Sequence, residues 1–380
     1  MIRLDDELLG RAASVTPGAS QTNSRRHGKV GTDDYPAFAV RGKGTELTLQ
    51  DGRTVIDLAG ANGAVPLGYE HPEVSLAIQR YSDHGGTLSL PSPLEIEVSE
   101  QMCEVFESDV MVRWVRTGSE AVSAAVSIAQ EKTGHDSIGV IDGAYPGWQP
   151  WTRQATKLGV QPLLNGEKFN LSTCAAMVIE SPRWEPVTEL MIGVLQELRR
   201  RCTESDTLLI FDDVVYGFRF AAGGLQETSG VKPDLACFSK ALGNGTPVGC
   251  VVGNHDLMTE TGYRVSSTFG GEVTGLAAAS GVLAVHRDRD VCGDLLDIGT
   301  KLRADLDKAL CGSPIKVVGR PQHFRFTSDD EDALNEFLSG CITHRDPVLI
   351  HRDANNVNLA IDSGIRERVA ATVASVAKEL

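Results

Sequence analysis

Short apolar runs bounded by Gly, Pro or Asp recur through the middle of the chain, at Val112 to Arg116, Ser137 to Ile141, Ala175 to Glu180, Thr207 to Phe211, Leu235 to Phe238 and Gly249 to Val252. Between them, Glu120 to Lys132 and Met191 to Arg201 carry apolar residues at helical spacing. Strands alternating with helices predict an α/β protein, with a mixed or parallel sheet covered by helices over residues 51–280. From 281 to 380, helix-like stretches at Val291 to Leu310 and Ile365 to Leu380 flank the strand-like Val348 to His351 and Val357 to Ile361. This predicts a smaller α+β domain, joined by the amino-terminal segment 1–50. In such sheets ligands sit beyond the carboxyl ends of the strands, so the residues just past each run are the candidates for chemistry.

Composition narrows the classes. With 36 Lys plus Arg against 51 Asp plus Glu, a net charge of −15, the chain is not a general binder of nucleic acid. At 41% hydrophobic and 23% charged it reads as a large globular protein. No run approaches the ~20 apolar residues of a membrane span, and the opening MIRLDDELLG is acidic where a signal peptide is basic. The expectation is a soluble, cytoplasmic protein with no membrane partner. The eight cysteines are scattered, without a CxxC pair or a His cluster at ligand spacing, so neither a disulfide framework nor a metal site is expected.

Five stretches carry chemistry. Leu208 to Phe211 ends in two carboxylates, Asp212 and Asp213. Asp212, at the strand tip, either holds a ligand cation or only starts a turn. Twenty-eight residues later Lys240 follows the run Leu235 to Phe238 and precedes a glycine-rich loop. A lysine at the end of a buried strand can be desolvated and act as a Schiff-base nucleophile, whereas on a surface it is merely solvated. Arg116-Thr-Gly-Ser-Glu-Ala121 opens a helix, where Gly118 and Ser119 form an anion site or Ser119 is a plain N-cap. Tyr145, in Gly143-Ala-Tyr-Pro-Gly-Trp148, either stacks on a planar ring or packs within its loop. Ser266-Ser-Thr-Phe-Gly-Gly-Glu272 adds hydroxyls and flexible backbone ahead of a small-residue helix. Together, a carboxylate, a lysine, an amide-and-hydroxyl cradle and an aromatic suit pyridoxal phosphate (PLP).

At these residues the sequence resembles the class III aminotransferases, PLP enzymes of fold type I. The likeness runs through Pro17-Gly18, Arg41-Gly-Lys-Gly44, Asp51-Gly52, Leu67-Gly68, His71-Pro72, the phosphate loop, the Asp212 strand and the Lys240 loop. Within the class the chain is most similar to the glutamate-1-semialdehyde aminomutase branch and its sugar-aminating relatives, through Gly147-Trp148 and Ser267 to Glu272. The resemblance implies that Lys240 and Asp212 are catalytic, that Gly118 and Ser119 hold the phosphate, and that Tyr145 and Val214 sandwich the ring. It further implies that Thr268 reaches the phosphate of a neighbouring subunit, giving a homodimer with shared active sites, and that Arg25 binds a substrate carboxylate, with a surface arginine as the alternative. The activity it implies is transfer of an amino group from an amino acid to a carbonyl acceptor, such as a sugar. Alternatives are an aminomutase or racemase on the same scaffold, and a non-catalytic binding protein that keeps the fold. Two departures bear on substrate: Asp213 stands where relatives usually have Glu, and Pro146 where many have His. The glycines of Gly243 to Gly249 lack dinucleotide-loop spacing, and His351 to Asn358 matches a kinase catalytic loop by chance only.

Overall fold

The computed structural model describes residues 4–29, 31–106, 109–159 and 171–380. The chain forms two compact units, one from Met1–His71 with Gly293–Leu380 and one from Pro72–Cys292. The divisions fall at 71/72 and 292/293, where the sequence pattern suggested 50/51 and 280/281. Strand pairing explains the first shift and helix continuity the second, as follows.

In the first unit, β1 (Ala39–Lys43), β2 (Glu46–Leu49) and β3 (Thr54–Asp57) run antiparallel in sequence. β3 finds its other neighbour nearly three hundred residues later, in a parallel strand from the carboxyl-terminal segment described below, and this ties residues past 51 to that end of the chain.

The second unit is built on a seven-stranded sheet. Its strands are β4 (Val110–Val115), β5 (Ser137–Ile141), β6 (Thr156–Leu158), β7 (Cys174–Glu180), β8 (Leu208–Asp212), β9 (Leu235–Phe238) and β10 (Gly249–Asn254). They lie in the order β4-β10-β9-β8-β7-β5-β6. All pairs from β9 to β6 are parallel, while β10 is antiparallel to both of its neighbours. Two reversals restore direction, so β4 points the same way as β9, and the carboxyl ends of β4, β5, β7, β8 and β9 share one edge.

Burial on both faces explains why these strands read as unbroken apolar runs. Ala176, Val178 and Ile210 meet the helix Gly118–Thr133, whose alanines Ala121, Ala124, Ala125 and Ala129 allow close approach. Met177, Ile179, Leu209 and Phe211 join the other face with Leu195 and Leu198 of the helix Glu189–Glu204. Ala236, Phe238, Cys250 and Val252 meet the helix Val273–Asp288. That helix runs without a break through 280/281, so the unit cannot end there. β6 was not expected because its residues are largely exposed and two of the three are polar.

Back in the first unit, β11 (Lys316–Arg320), β12 (His323–Thr327) and β14 (Asn355–Asn356) form a three-stranded sheet, while β13 (Val348–Leu349) is the parallel partner of β3. The expected strand Val357 to Ile361 is instead a turn after β14. The Val357 and Leu359 amides donate to the carbonyls of Gln322 and Pro66, not to a ladder, and Ile361 closes back on Asn358. Among the described residues no helix is long and apolar enough to cross a membrane.

Helix Val273–Asp288 approaches helix Pro72–Arg80 at Gly281, where an added Cβ would lie 2.9 Å from Val74 Cα and 3.1 Å from the Glu73 carbonyl oxygen. Gly to Ala within a helix usually stabilises by up to about 1 kcal/mol. Here the neighbours are backbone and cannot yield, so Gly281→Ala should lower stability by about 1–3 kcal/mol, seen as a lower urea midpoint of the apoprotein.

Candidate active site

The shared strand edge gathers most of the expected residues. Asp212 ends β8, and its register partner on β9 is Cys237, three residues before Lys240. Ser239 and Lys240 leave β9 in a tight turn pinned by the Ser239 hydroxyl, which donates to the Val248 carbonyl at 2.7 Å. Lys240 has φ 42°, a left-handed conformation that costs a non-glycine residue about 1–3 kcal/mol and is kept where the surroundings over-determine it.

The two charges act on each other across this edge. Asp212 is 5% exposed and accepts the Val214 amide at 3.1 Å. Burial pushes its pKa up to about 7, the negative charge of Glu180 adds to the rise, and the Val214 hydrogen bond and Lys240 oppose it. Lys240 moves the other way, to about 8, because its ammonium is desolvated. Asp212 and Glu180 hold it up, while Arg183 and Arg219 push it further down. A lysine poised near neutrality beside a buried carboxyl is the arrangement expected of a nucleophile and base.

The helix Gly118–Thr133 begins on the same edge, after β4. Its N-cap is Thr117, not Ser119: the Thr117 hydroxyl accepts the Glu120 amide, and the Glu120 carboxylate accepts the Thr117 and Arg116 amides. Gly118 and Ser119 therefore occupy the first helical turn, where amide hydrogens lack intrahelical acceptors and favour an anion. Space there is tight. A Cβ on Gly118 would stand 2.5 Å from Val214 Cγ1, and one on Gly147 would stand 2.8 Å from Ser119 Oγ. Val214 is thus held between the Asp212 tip and the helix start.

Tyr145 follows β5, and its amide donates to Glu180 Oε2 at 2.7 Å while its side chain lies exposed. Thr268 is exposed in a turn. It does not cap the following helix, because Glu272 does, accepting the Thr274 and Gly275 amides at 2.9 Å and pairing with Arg116 at 2.6 Å. Arg25 belongs to the first unit, where it is exposed and donates through Nε to Thr22 Oγ1. The structure brings Lys240, Asp212, Val214, Gly118, Ser119 and the Tyr145 backbone to one edge.

Sequence reading missed two residues on that edge, Glu180 and Arg183. Glu180 is the register partner of Asp212 and pairs with Arg183 at 2.7 Å. A signal was present, since the run Ala175 to Glu180 ends in a carboxylate just as the run to Asp212 does. Asp213, which stands where relatives usually have Glu, is fully buried. Its Oδ1 accepts the Ser181 hydroxyl at 2.7 Å and the Leu225 amide at 2.9 Å, while Oδ2 is buried without a hydrogen bond. Burial raises its pKa to about 7, against the pull of those two bonds. A buried acid with a raised pKa takes up a proton on folding between its unfolded value near 4 and its folded value near 7, so its ionisation destabilises the fold progressively as pH rises through that range. Asp213→Asn, which cannot ionise, should therefore gain stability relative to the unaltered protein on going from pH 4 to pH 8, by a few kcal/mol on the order set by the shift. Urea denaturation of both apoproteins at the two pH values measures it.

Comparison with known proteins gives the fold its kin. The structure superimposes on the FumI protein of Sphingopyxis sp. MTA144 with a TM-score of 0.88 at 22% identity, covering 99% of this chain and 96% of that one. It superimposes on an omega-transaminase from Sphaerobacter thermophilus with a TM-score of 0.83, also at 22% identity, covering 99% and 97%. At that identity the likeness establishes the fold, that of the fold-type I PLP transaminases. In sequence the chain is 32% identical to the glutamate-1-semialdehyde 2,1-aminomutase of Methanothermobacter thermautotrophicus, over 87% of this chain and 85% of the relative. The enzyme of the same name from Haloquadratum walsbyi is also 32% identical, over 95% and 88%. The profile of the class-III aminotransferases matches residues 28–156 and 151–320, and the chain belongs to that family.

Proposed function

We propose that the protein is a PLP-dependent aminotransferase that moves an amino group from an amino acid donor to a carbonyl acceptor, a sugar among the candidates. The observation that carries this reading is the pairing of Asp212 with Lys240 at the ends of adjacent parallel strands, each pushed by burial toward the neutral form. The donor set fits the cofactor. A lysine amine suits its aldehyde, a buried carboxyl its ring nitrogen and a helix start its phosphate, and the glycine at 118 leaves Val214 room beside the ring. When bound, PLP supplies an electron-withdrawing ring that stabilises negative charge on the substrate carbon.

The residues divide the work. Lys240 would hold the aldehyde end, and its Nζ, whose pKa burial lowers to about 8 when the amine is free, would take a proton from the substrate carbon and return it once released from the cofactor. Asp212 would hold the ring nitrogen, and a protonated nitrogen there would favour the ionised carboxylate against burial. Gly118 and Ser119 would bind the phosphate, and Val214 and Tyr145 would flank the ring.

A second reading, an aminomutase, is favoured by the two 32% identical relatives, both glutamate-1-semialdehyde 2,1-aminomutases. One experiment separates the two. Glutamate added alone to the holoenzyme should yield one equivalent of 2-oxoglutarate, and borohydride followed by peptide mapping should find the cofactor mass on Lys240. Label on another lysine would overturn the site. No keto acid from any common amino acid, together with isomerisation of a single amino-aldehyde or diamino compound, would establish the mutase.

The working form in this proposal is a cytoplasmic homodimer in which Thr268 of each chain serves the phosphate site of the other. Large apolar side chains stand exposed on the second unit, among them Leu90 at 78%, Trp148 at 69%, Tyr145 at 63% and Phe269 at 54%. Covering such groups favours association. Sedimentation at working concentration should give a dimer, and an active monomer would refute the shared site.

A further inference from the structure

An enzyme that accepts amino acids must receive a carboxylate near its reacting amine. Two arginines lie close enough for their charge to act on Lys240, Arg183 and Arg219. They differ in access. Arg219 is 1% exposed and closed to a substrate, whereas the Arg183 side chain is 27% exposed.

Arg183 is also held in a defined position. It follows β7 by three residues, and its Nη1 pairs with Glu180 Oε1 at 2.7 Å. The other Glu180 oxygen accepts the Tyr145 amide at 2.7 Å, so one partly buried carboxylate fixes both the arginine and the turn after β5. Trp184 lies beneath the guanidinium, with Arg183 Cζ 6.0 Å from the ring centroid. A guanidinium is a five-donor fork, and an ion pair through one nitrogen leaves it donors for a second, bidentate carboxylate. Glu180 in turn is the register partner of Asp212, which sets Arg183 on the same strand edge as the proton-transfer pair.

We propose that Arg183 is a specificity-determining residue of this site and binds a carboxylate of the amino donor, with Glu180 and Trp184 as its positioning residues. The inference rests on the aminotransferase reading above and adds a residue to it. The fork favours a planar carboxylate over a neutral group, and loss of a charge-assisted bond of this kind weakens binding by about tenfold or more.

The test is calorimetric titration of holoenzyme with glutarate, a dicarboxylate that lacks the reacting amine, set beside glutaramide, its neutral counterpart. Borohydride labelling of Lys240 and cofactor absorbance per chain are recorded on every sample, so failure of the cofactor assignment shows separately. The unaltered protein should bind glutarate more tightly than glutaramide. Arg183→Gln should lose about tenfold in glutarate affinity with glutaramide unchanged, and Arg183→Lys, which keeps the charge without the fork, should fall between. Equal glutarate affinity in all three at full cofactor content would overturn the proposal while leaving the aminotransferase reading intact, as would no preference for glutarate in the unaltered protein. A structural role alone would reduce both titrants together or empty the cofactor site, and either result also counts against a carboxylate-binding role.

Discussion

Two opposite charges buried at the tips of neighbouring parallel strands govern the second unit. An isolated buried carboxylate or ammonium costs several kcal/mol, and Asp212 and Lys240 each meet that cost partly by mutual attraction and partly by shifting toward neutrality. The arrangement works only if β8 and β9 run parallel, in register, with Lys240 turned back at once after the strand. The positive φ at Lys240 is the local strain that this turn imposes. Much of the rest of the unit reads as support for the pair: the covered sheet, the Ser239 clamp on Val248, and the glycine at 118 that leaves Val214 its place.

The reversed strand β10 has its own part. By lying antiparallel between β4 and β9 it brings the helix start after β4 to the edge that carries Lys240. At its first residue, Gly249, an added Cβ would stand 3.0 Å from the carbonyl oxygens of both Phe238 and Thr117. Backbone thus touches backbone where the helix cap and the lysine strand converge, which fixes their spacing more firmly than side chains could.

The sheet was legible because strands covered on both faces leave apolar runs, and Asp212 and Lys240 drew notice because a charged residue stands at or just past the end of each run. β6 was hidden because it lies exposed on an edge and has no apolar run to show. The capping box Thr117 to Glu120 was written in the sequence, yet Ser119 looked equally able to cap, and only the backbone geometry distinguishes them. Arg183 escaped notice because it stands past the strand in a Pro-rich turn, where nothing but its ion pair with Glu180 marks it. The first domain division moved because β3 takes a partner from the far end of the chain, a pairing that no local window contains.

That distant pairing has a consequence for synthesis. Val55 and Ile56 of β3 are almost wholly buried in the finished protein, yet β13 begins at Val348. At about 5–20 residues per second, a ribosome needs roughly 15–60 s to make the intervening chain, enough for Pro72–Cys292 to emerge whole. For that interval β3 offers an open apolar edge, the kind of surface that invites mispairing and recruits chaperones. The unit that carries Asp212 and Lys240 can fold as it leaves the ribosome, while its companion must wait for β13 to be made.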